Sequence, residues 1–459
     1  MNKPKPQNFT INVPNALFIC FSIFSILLSL YALYKIYVLH KVIISIFHFI
    51  SMFIGISLSG FFLFGLKKFD NELKINLSLL ITTTIIITYS FEIFLYVFNN
   101  SKVDSIIHDE KLRQTIAEEM EIKYDKRTRL EVINDLKENG IKAYPSIRPI
   151  NILRDKNTIN GLDSKYGLLF PLGGISNQLS VISKEYNYWL IYKTDKFGFH
   201  NSNEVYDNNV DIAIIGDSFA EGISVKTKEN ICSYFLNNGF NTVNYGKSGN
   251  GPLLEYATII EYVKPLKPKI VLWLYYENDL YNLKEEMESV TLKSYLQDQN
   301  NMQNLRTRQD HIDSLLINYI EMRIKKKKSE KVPQRNSKKD QNLNFIKILK
   351  LDGLRQLLNL RPILKPTPIF KEVLKKSKNE ISNWGGKMYF VYLPNYYYVT
   401  GKKHPFRDFV LKTTNDLDIP IIDIHSEVFE SHNDPISLFP FRLYGHYNAE
   451  GYELVSKAI

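Results

Sequence analysis

The chain reads as an α/β protein, a three-layer parallel-sheet domain preceded by three transmembrane helices. Two patterns predict this. Three long apolar segments fill roughly the first hundred residues, and from Val210 onward short apolar runs alternate with helix-like stretches. An apolar segment of about 20 residues is long enough to cross the hydrocarbon core of a bilayer as a helix. Strand-helix alternation argues for a parallel sheet covered by helices on both faces.

The apolar segments are Asn15–Leu39, Val42–Leu66 and Ile75–Phe98. The first is too long for a signal peptide and two more follow it, so residues 1–100 are expected to form a three-helix membrane anchor. With the amino terminus inside, Lys3, Lys5, Lys67, Lys68 and Lys74 lie on the inner side, against Lys35, Lys41 and Lys102 outside. That bias predicts a bacterial inner-membrane protein with its carboxyl domain on the extracytoplasmic side. Glu92, within two turns of the end of the third segment, is expected to snorkel to the interface.

Residues 101–207 read as a juxtamembrane helical stalk and a loop-rich collar. The stalk is Val103–Asn139, where acidic and basic residues interleave until Gly140 and Pro145 end the pattern. The collar, Gly167–Asn201, is rich in Gly, Asn and Tyr. Its Pro171–Asn177 turn fits either a substrate rim or a rigid loop.

Residues 208–459 carry the sheet. Strands are expected at Ile212–Ile215, Thr242–Tyr245, Ile270–Tyr275, Met388–Tyr392 and Ile419–Ile424. Helices are expected at Asn230–Asn237, Leu253–Val263 and Ala449–Ile459. A charged, poorly patterned insertion at about 282–368 interrupts them.

The formal charge of +10 does not point to nucleic acid. Lysine is concentrated in Lys325–Lys339, a run that fits a solvated segment or one touching anionic headgroups or an acidic glycan. Zinc-finger spacing and aromatic-basic platforms are both missing. Two cysteines, Cys20 and Cys232, are too few for a disulfide framework and read as buried hydrophobes. No cofactor motif is present, and His404, His425 and His432 have no metal-ligand spacing.

Four motifs carry the chemistry. The strand Ile212–Ile215 ends at Gly216-Asp217-Ser218, which puts a serine at the carboxyl end of a buried strand, where open α/β sheets place ligands. NYGKSGNG follows at Asn244–Gly251, YEND at Tyr276–Asp279 and GHYNAEGY at Gly445–Tyr452. In this order the motifs resemble those of the SGNH/GDSL hydrolase family, over about Val210–Asp279 and Lys387–Ile459.

The resemblance implies roles by position. Ser218 matches the nucleophile and His446 the general base. The Ser218 and Gly249 amides and the Asn278 side chain match the oxyanion donors, while Asp217 belongs to the turn that holds the serine. A serine hydroxyl is a weak nucleophile and needs an imidazole to take its proton. Fixed donors then stabilise the oxyanion by about 3 kcal/mol each.

The family usually has an aspartate three residues before the histidine, and here Leu443 stands there. Asp434 is the nearest upstream replacement, Glu427 and Asp423 are further options, and a Ser-His dyad oriented by a backbone carbonyl is another. Glu277 also departs from the common glycine, to contact substrate or cap a loop.

The expected function is a membrane-anchored serine esterase or O-acyltransferase acting on acyl groups, O-acetyl above all, of an envelope polysaccharide. Two other readings stay open. One is a non-catalytic glycan-binding component of a polysaccharide assembly complex, with biosynthetic partners; the other is a lipid-directed lipase or thioesterase.

Overall fold

Apolar side chains at alternating positions can fill two cores at once if the strand that carries them is covered on both faces. The computed structural model, which describes residues 13–39, 42–100, 105–165, 167–298, 302–330, 348–357, 368–402, 404 and 406–459, has such a sheet. Its strands are β1 (Ile212–Gly216), β2 (Thr242–Asn244), β3 (Ile270–Tyr275), β4 (Lys387–Tyr392) and β5 (Ile421–Asp423). They lie in the order β5-β4-β3-β1-β2, and every pairing is parallel.

Ala213 and Ile215 of β1 share one core with Val271, Trp273 and Tyr275 of β3. Ile212 and Ile214 share the other with Leu272 and Leu274. The helices Pro252–Thr258 and Pro368–Asn383 supply Leu253, Leu254, Phe370 and Val373 to the first core. The helices Ile231–Asn237 and Ala449–Ala458 supply Ile231, Phe235, Tyr452 and Val455 to the second. This parallel sheet with helices on both faces is the α/β architecture expected. Only element ends differ: the last strand is shorter, and the helix at Pro252–Thr258 continues as a π-helical turn over Ile259–Val263.

The chain divides into two compact units. One holds residues up to Asp104 together with Asn336–Arg361. Its helices α1 (Val13–Leu39), α2 (Val42–Lys68) and α3 (Asn71–Asn100) include three spans long and apolar enough to cross a membrane. Small polar residues let α1 and α2 approach closely. Ser22 and Ser59 hydrogen-bond at 2.8 Å, and Ser29 donates to the Met52 carbonyl at 3.1 Å. Cys20, expected to be buried, is exposed.

Glu92 does not snorkel. It is 2% exposed and accepts the Gly353 and Leu354 amides, at 2.7 and 2.8 Å, at the start of the short helix Asp352–Leu357. A carboxylate on free helical N–H groups is stabilised where a lone one would not be.

The second unit runs from Ser105 and contains the sheet. The stalk is not one polar helix. It breaks after α4 (Ser105–Glu119), with Glu121 at φ 57°, and resumes as α5 (Arg129–Glu138) behind a Thr128 capping box. Ala117 and Tyr124 then pack on Phe441 of the sheet domain. The Pro171–Asn177 turn is largely buried, and the Gly174 amide donates to the Gly198 carbonyl at 3.0 Å.

Much of the insertion's first half also belongs to the core. In the helix Gln309–Glu330, Ile312, Leu316, Tyr319 and Ile320 recur at helical spacing and join the first core. The lysine run starts on this helix, and from residue 331 it lies outside the described residues. Leu316 is fully buried. Leu316→Ala is expected to destabilise this unit by about 2–5 kcal/mol. The three tryptophans, Trp189, Trp273 and Trp384, all lie in this unit, so a fall in the urea midpoint of their fluorescence checks the prediction.

Candidate active site

Where β1 ends, Asp217 caps the helix Ser218–Glu221 by accepting the Phe219 amide at 2.9 Å, and this fixes the serine at the helix start. The loop before the helix Ala449–Ala458 brings His446 above it. Ser218 Oγ donates to His446 Nε2 at 2.6 Å, and His446 Nδ1 donates to Glu185 Oε1 at 2.7 Å. The His446 amide donates to the other Glu185 oxygen at 3.0 Å, so the carboxylate grips both the ring and its backbone.

Arg113 of α4 steadies this arrangement. It donates to the Glu185 carbonyl at 2.6 Å and to the Tyr444 carbonyl. Gly445 lies close to the carboxylate, and a Cβ there would stand 3.0 Å from Glu185 Oε2.

The charges fit one another. Burial, the largest influence on Glu185, favours its neutral form, but the charge and hydrogen bonds of His446 outweigh it and hold the carboxyl down to about 2. Burial also opposes the His446 imidazolium, while Glu185 and then Asp217 favour it, leaving the ring pKa above its ordinary value. Asp217 meets the opposite balance. Buried, and satisfied mainly by a backbone amide, it is pushed up to about 6.

A cavity of about 620 Å³ opens on the serine, lined among others by Ser218, Asn278, His446, Arg113 and Trp189. Gly249 is not among its lining residues; it sits half-buried in the turn after β2. Among the described residues, neither the Ser218 nor the Gly249 amide donates to an intramolecular acceptor.

No protein-family model matches the chain, and no curated protein matches it. Solved structures do resemble it at low identity. A lipolytic protein of the G-D-S-L family from Desulfitobacterium hafniense DCB-2 is 14% identical, with a TM-score of 0.31 over 55% of this chain and 97% of its own. CEX, a two-domain esterase active on acetylated mannans and co-crystallised with mannopentaose, is 12% identical, with a TM-score of 0.31 over 56% of this chain and 50% of its own. LAE5, an α/β hydrolase enzyme from the metagenome of Lake Arreo, Spain, is 13% identical, with a TM-score of 0.30 over 57% and 95%.

The structure thus brings Ser218, His446 and Asn278 to one cavity but leaves Asp434 out of it. Asp434 is exposed and bound by both terminal nitrogens of Arg442, at 2.6 and 2.9 Å. Asp423 pairs with Arg407, and Glu427 is exposed. The residue at His446 Nδ1 is Glu185 of the collar, 261 positions away in sequence, so no local motif could reveal it. Nor is the ring oriented by a backbone carbonyl. Glu277 lies outside the cavity lining; Asn395 and His404 contact it, and burial pushes its carboxyl up to about 8.

Behind the serine, fully buried Glu221 accepts Tyr192 Oη at 2.7 Å, Lys247 Nζ at 3.3 Å and the Ser248 amide at 2.8 Å, along with the Ser248 hydroxyl. Gly246 permits this docking, since a Cβ would come within 2.5 Å of the Glu221 nitrogen. Glu221→Gln leaves the Lys247 ammonium buried without a counter-charge. Such a change is expected to cost about 3–5 kcal/mol, read as a lower denaturation midpoint by tryptophan fluorescence.

Proposed function

We propose that this protein is a membrane-anchored serine ester hydrolase or O-acyltransferase of the SGNH kind, acting on O-acyl groups of an envelope polysaccharide. The observation that carries this reading is the continuous chain from Ser218 Oγ through His446 to Glu185, with links of 2.6 and 2.7 Å, opening on a cavity. A hydroxyl, an imidazole and a carboxylate in this sequence are the parts of an acyl-transfer triad.

In the proposed reaction His446 Nε2 takes the hydroxyl proton as Ser218 Oγ bonds to the ester carbonyl carbon. The Ser218 amide and the Asn278 side chain receive the oxyanion, and the Gly249 amide is assigned as a third donor. Collapse breaks the bond to the sugar oxygen, which leaves with the proton from Nε2. Water or an acceptor hydroxyl then attacks the acyl-serine by the same route in reverse. Glu185 keeps the proton on Nδ1 and stabilises the imidazolium. A carboxylate at His446 Nδ1 supports the catalytic reading over a non-catalytic glycan-binding one, although Leu443 stands where the family has its acid.

A fluorophosphonate probe is expected to label Ser218 in the full-length protein, and Ser218→Ala is expected to abolish both labelling and release of acetate from an activated acetyl ester. Absence of labelling in the wild type would reject the reading. Glu185→Gln is expected to lower kcat/KM by about 10²–10⁴-fold, whereas Asp434→Asn, at an exposed ion pair, changes it by less than about twofold.

The pH profile separates these roles further. His446 must be neutral to act as base, so kcat/KM is expected to fall as pH drops through an apparent pKa above the ordinary value near 6.5. Glu185→Gln removes the charge that raises it, which moves this limb to lower pH beneath a lower plateau.

A further inference from the structure

The cavity over Ser218 does not end at the triad. At Arg129 and Trp189 it meets a second cavity of about 830 Å³, and both residues line the two. Arg129, Arg148, Arg323 and Lys326 line the second cavity, while no aspartate or glutamate does.

The arginines around this groove differ in one respect. Arg127 is held by Asp125 at 2.6 Å and by Asp135 at 2.7 Å. Arg154 is held by Glu285 at 2.7 Å, and Arg323 reaches Asp155 at 3.3 Å. Arg129, two residues beyond Arg127, is half-buried, and among the described residues its guanidinium has no hydrogen-bond acceptor; it lies 5.7 Å over the Trp189 ring. Arg148, also half-buried, has a single long contact from Nε to Asn151 Oδ1, at 3.5 Å.

A guanidinium carries five donors, and partial burial without acceptors costs free energy. Here burial disfavours the charge on both, and the nearby charge of Arg148 adds to the effect at Arg129. Among the described residues, the Trp189 ring at Arg129 and the charge of Glu221 near Arg148 offset only part of that cost. An anion lying between the two would offset it further, by accepting paired N–H donors.

We propose that Arg129 and Arg148 form an anion-binding subsite, and that the polymer acted on at Ser218 is an anionic polysaccharide bearing carboxylate or phosphate groups on units adjoining the ester. This rests on the ester-transfer reading of the Ser218 site. Trp189, half-buried and lining both cavities, offers an aromatic edge against which a sugar can pack. The chain of sugars crosses from Ser218 over Trp189 towards Arg148, with its charged substituents facing the guanidiniums.

Binding is measured without turnover, in full-length Ser218→Ala protein in detergent micelles. The calorimetric probes are an oligouronate, an oligo(glycerol phosphate) and a neutral manno-oligosaccharide of matched length. At least one anionic oligomer is expected to bind tenfold or more tightly than the neutral one, with an affinity that falls as salt rises. Arg129→Gln and Arg148→Gln, each in this background, are expected to lose at least tenfold for that oligomer, and Arg129→Lys recovers part of the loss. The preferred anion identifies carboxylate or phosphate as the recognised group. Equal or tighter binding of the neutral oligomer overturns the proposal, as does unchanged anion affinity in both glutamine variants. Tryptophan fluorescence reports whether each variant is folded; if Arg129→Gln is not, Arg148→Gln and the salt dependence decide. Fluorophosphonate labelling of the wild type is read separately. A protein that is labelled but ignores charge loses only the anion subsite, and one that binds anions but is not labelled loses only the esterase reading.

Discussion

The Glu221 carboxylate, fully buried one turn after the serine, is the constraint on which the catalytic unit depends. Burial alone would keep it neutral. Three neutral donors and the Lys247 ammonium reverse that and hold its pKa below the ordinary value. The donors come from two parts of the fold. Lys247 and Ser248 belong to the turn after β2 that leads to Gly249, and Tyr192 comes from the collar. The Glu221 carbonyl also accepts His200 Nδ1 at 2.9 Å, and that ring stacks on Tyr192. One charge thereby sets the serine helix, the second motif and the collar in a common register. An apolar residue could fill the space but could not orient the Ser248 amide.

Around His446 two carboxylates sit in contrasting surroundings. Glu185 faces an imidazole and a guanidinium and stays ionised; Asp217 faces chiefly a backbone amide and is raised towards neutrality. Environments that push two acids apart assign them different work. In the proposed reaction Glu185 balances a developing imidazolium, while Asp217 caps the helix that presents Ser218.

How much could be read from the sequence follows from the range of the interactions. The strands were legible because β1 and β3 are apolar at successive positions, a pattern that only burial on both faces explains. Ser218 and His446 were legible because each sits in a short motif at an element boundary. Glu185 was not, since its only signal is a contact made across 261 residues. The stalk was misread because a polar-faced helix looks solvated until Ala117 and Arg113 are seen to be buried. Glu92 was misread because its partners are backbone amides of a segment far along the chain. Within the insertion, the charged residues on the helix Gln309–Glu330 mask the spacing of Ile312, Leu316, Tyr319 and Ile320.

Leu443 and Glu185 are two halves of one rearrangement. Leu443, at the position where the family resemblance leads one to expect the acid, packs with Tyr186 and Ile116 against Ala117, Tyr124 and Phe441. That small apolar cluster joins α4 to the loop bearing His446. Helix α4 in turn carries Arg113, whose guanidinium binds the carbonyls on both sides of the site, at Glu185 and at Tyr444. An aspartate at 443 would put a charge into this cluster and loosen the helix that steadies Glu185. The apolar side chain at 443 and the carboxylate at 185 therefore support each other. Together they make the collar part of the proposed triad, so the candidate site is complete only when the segment following the apolar helices is folded onto the sheet.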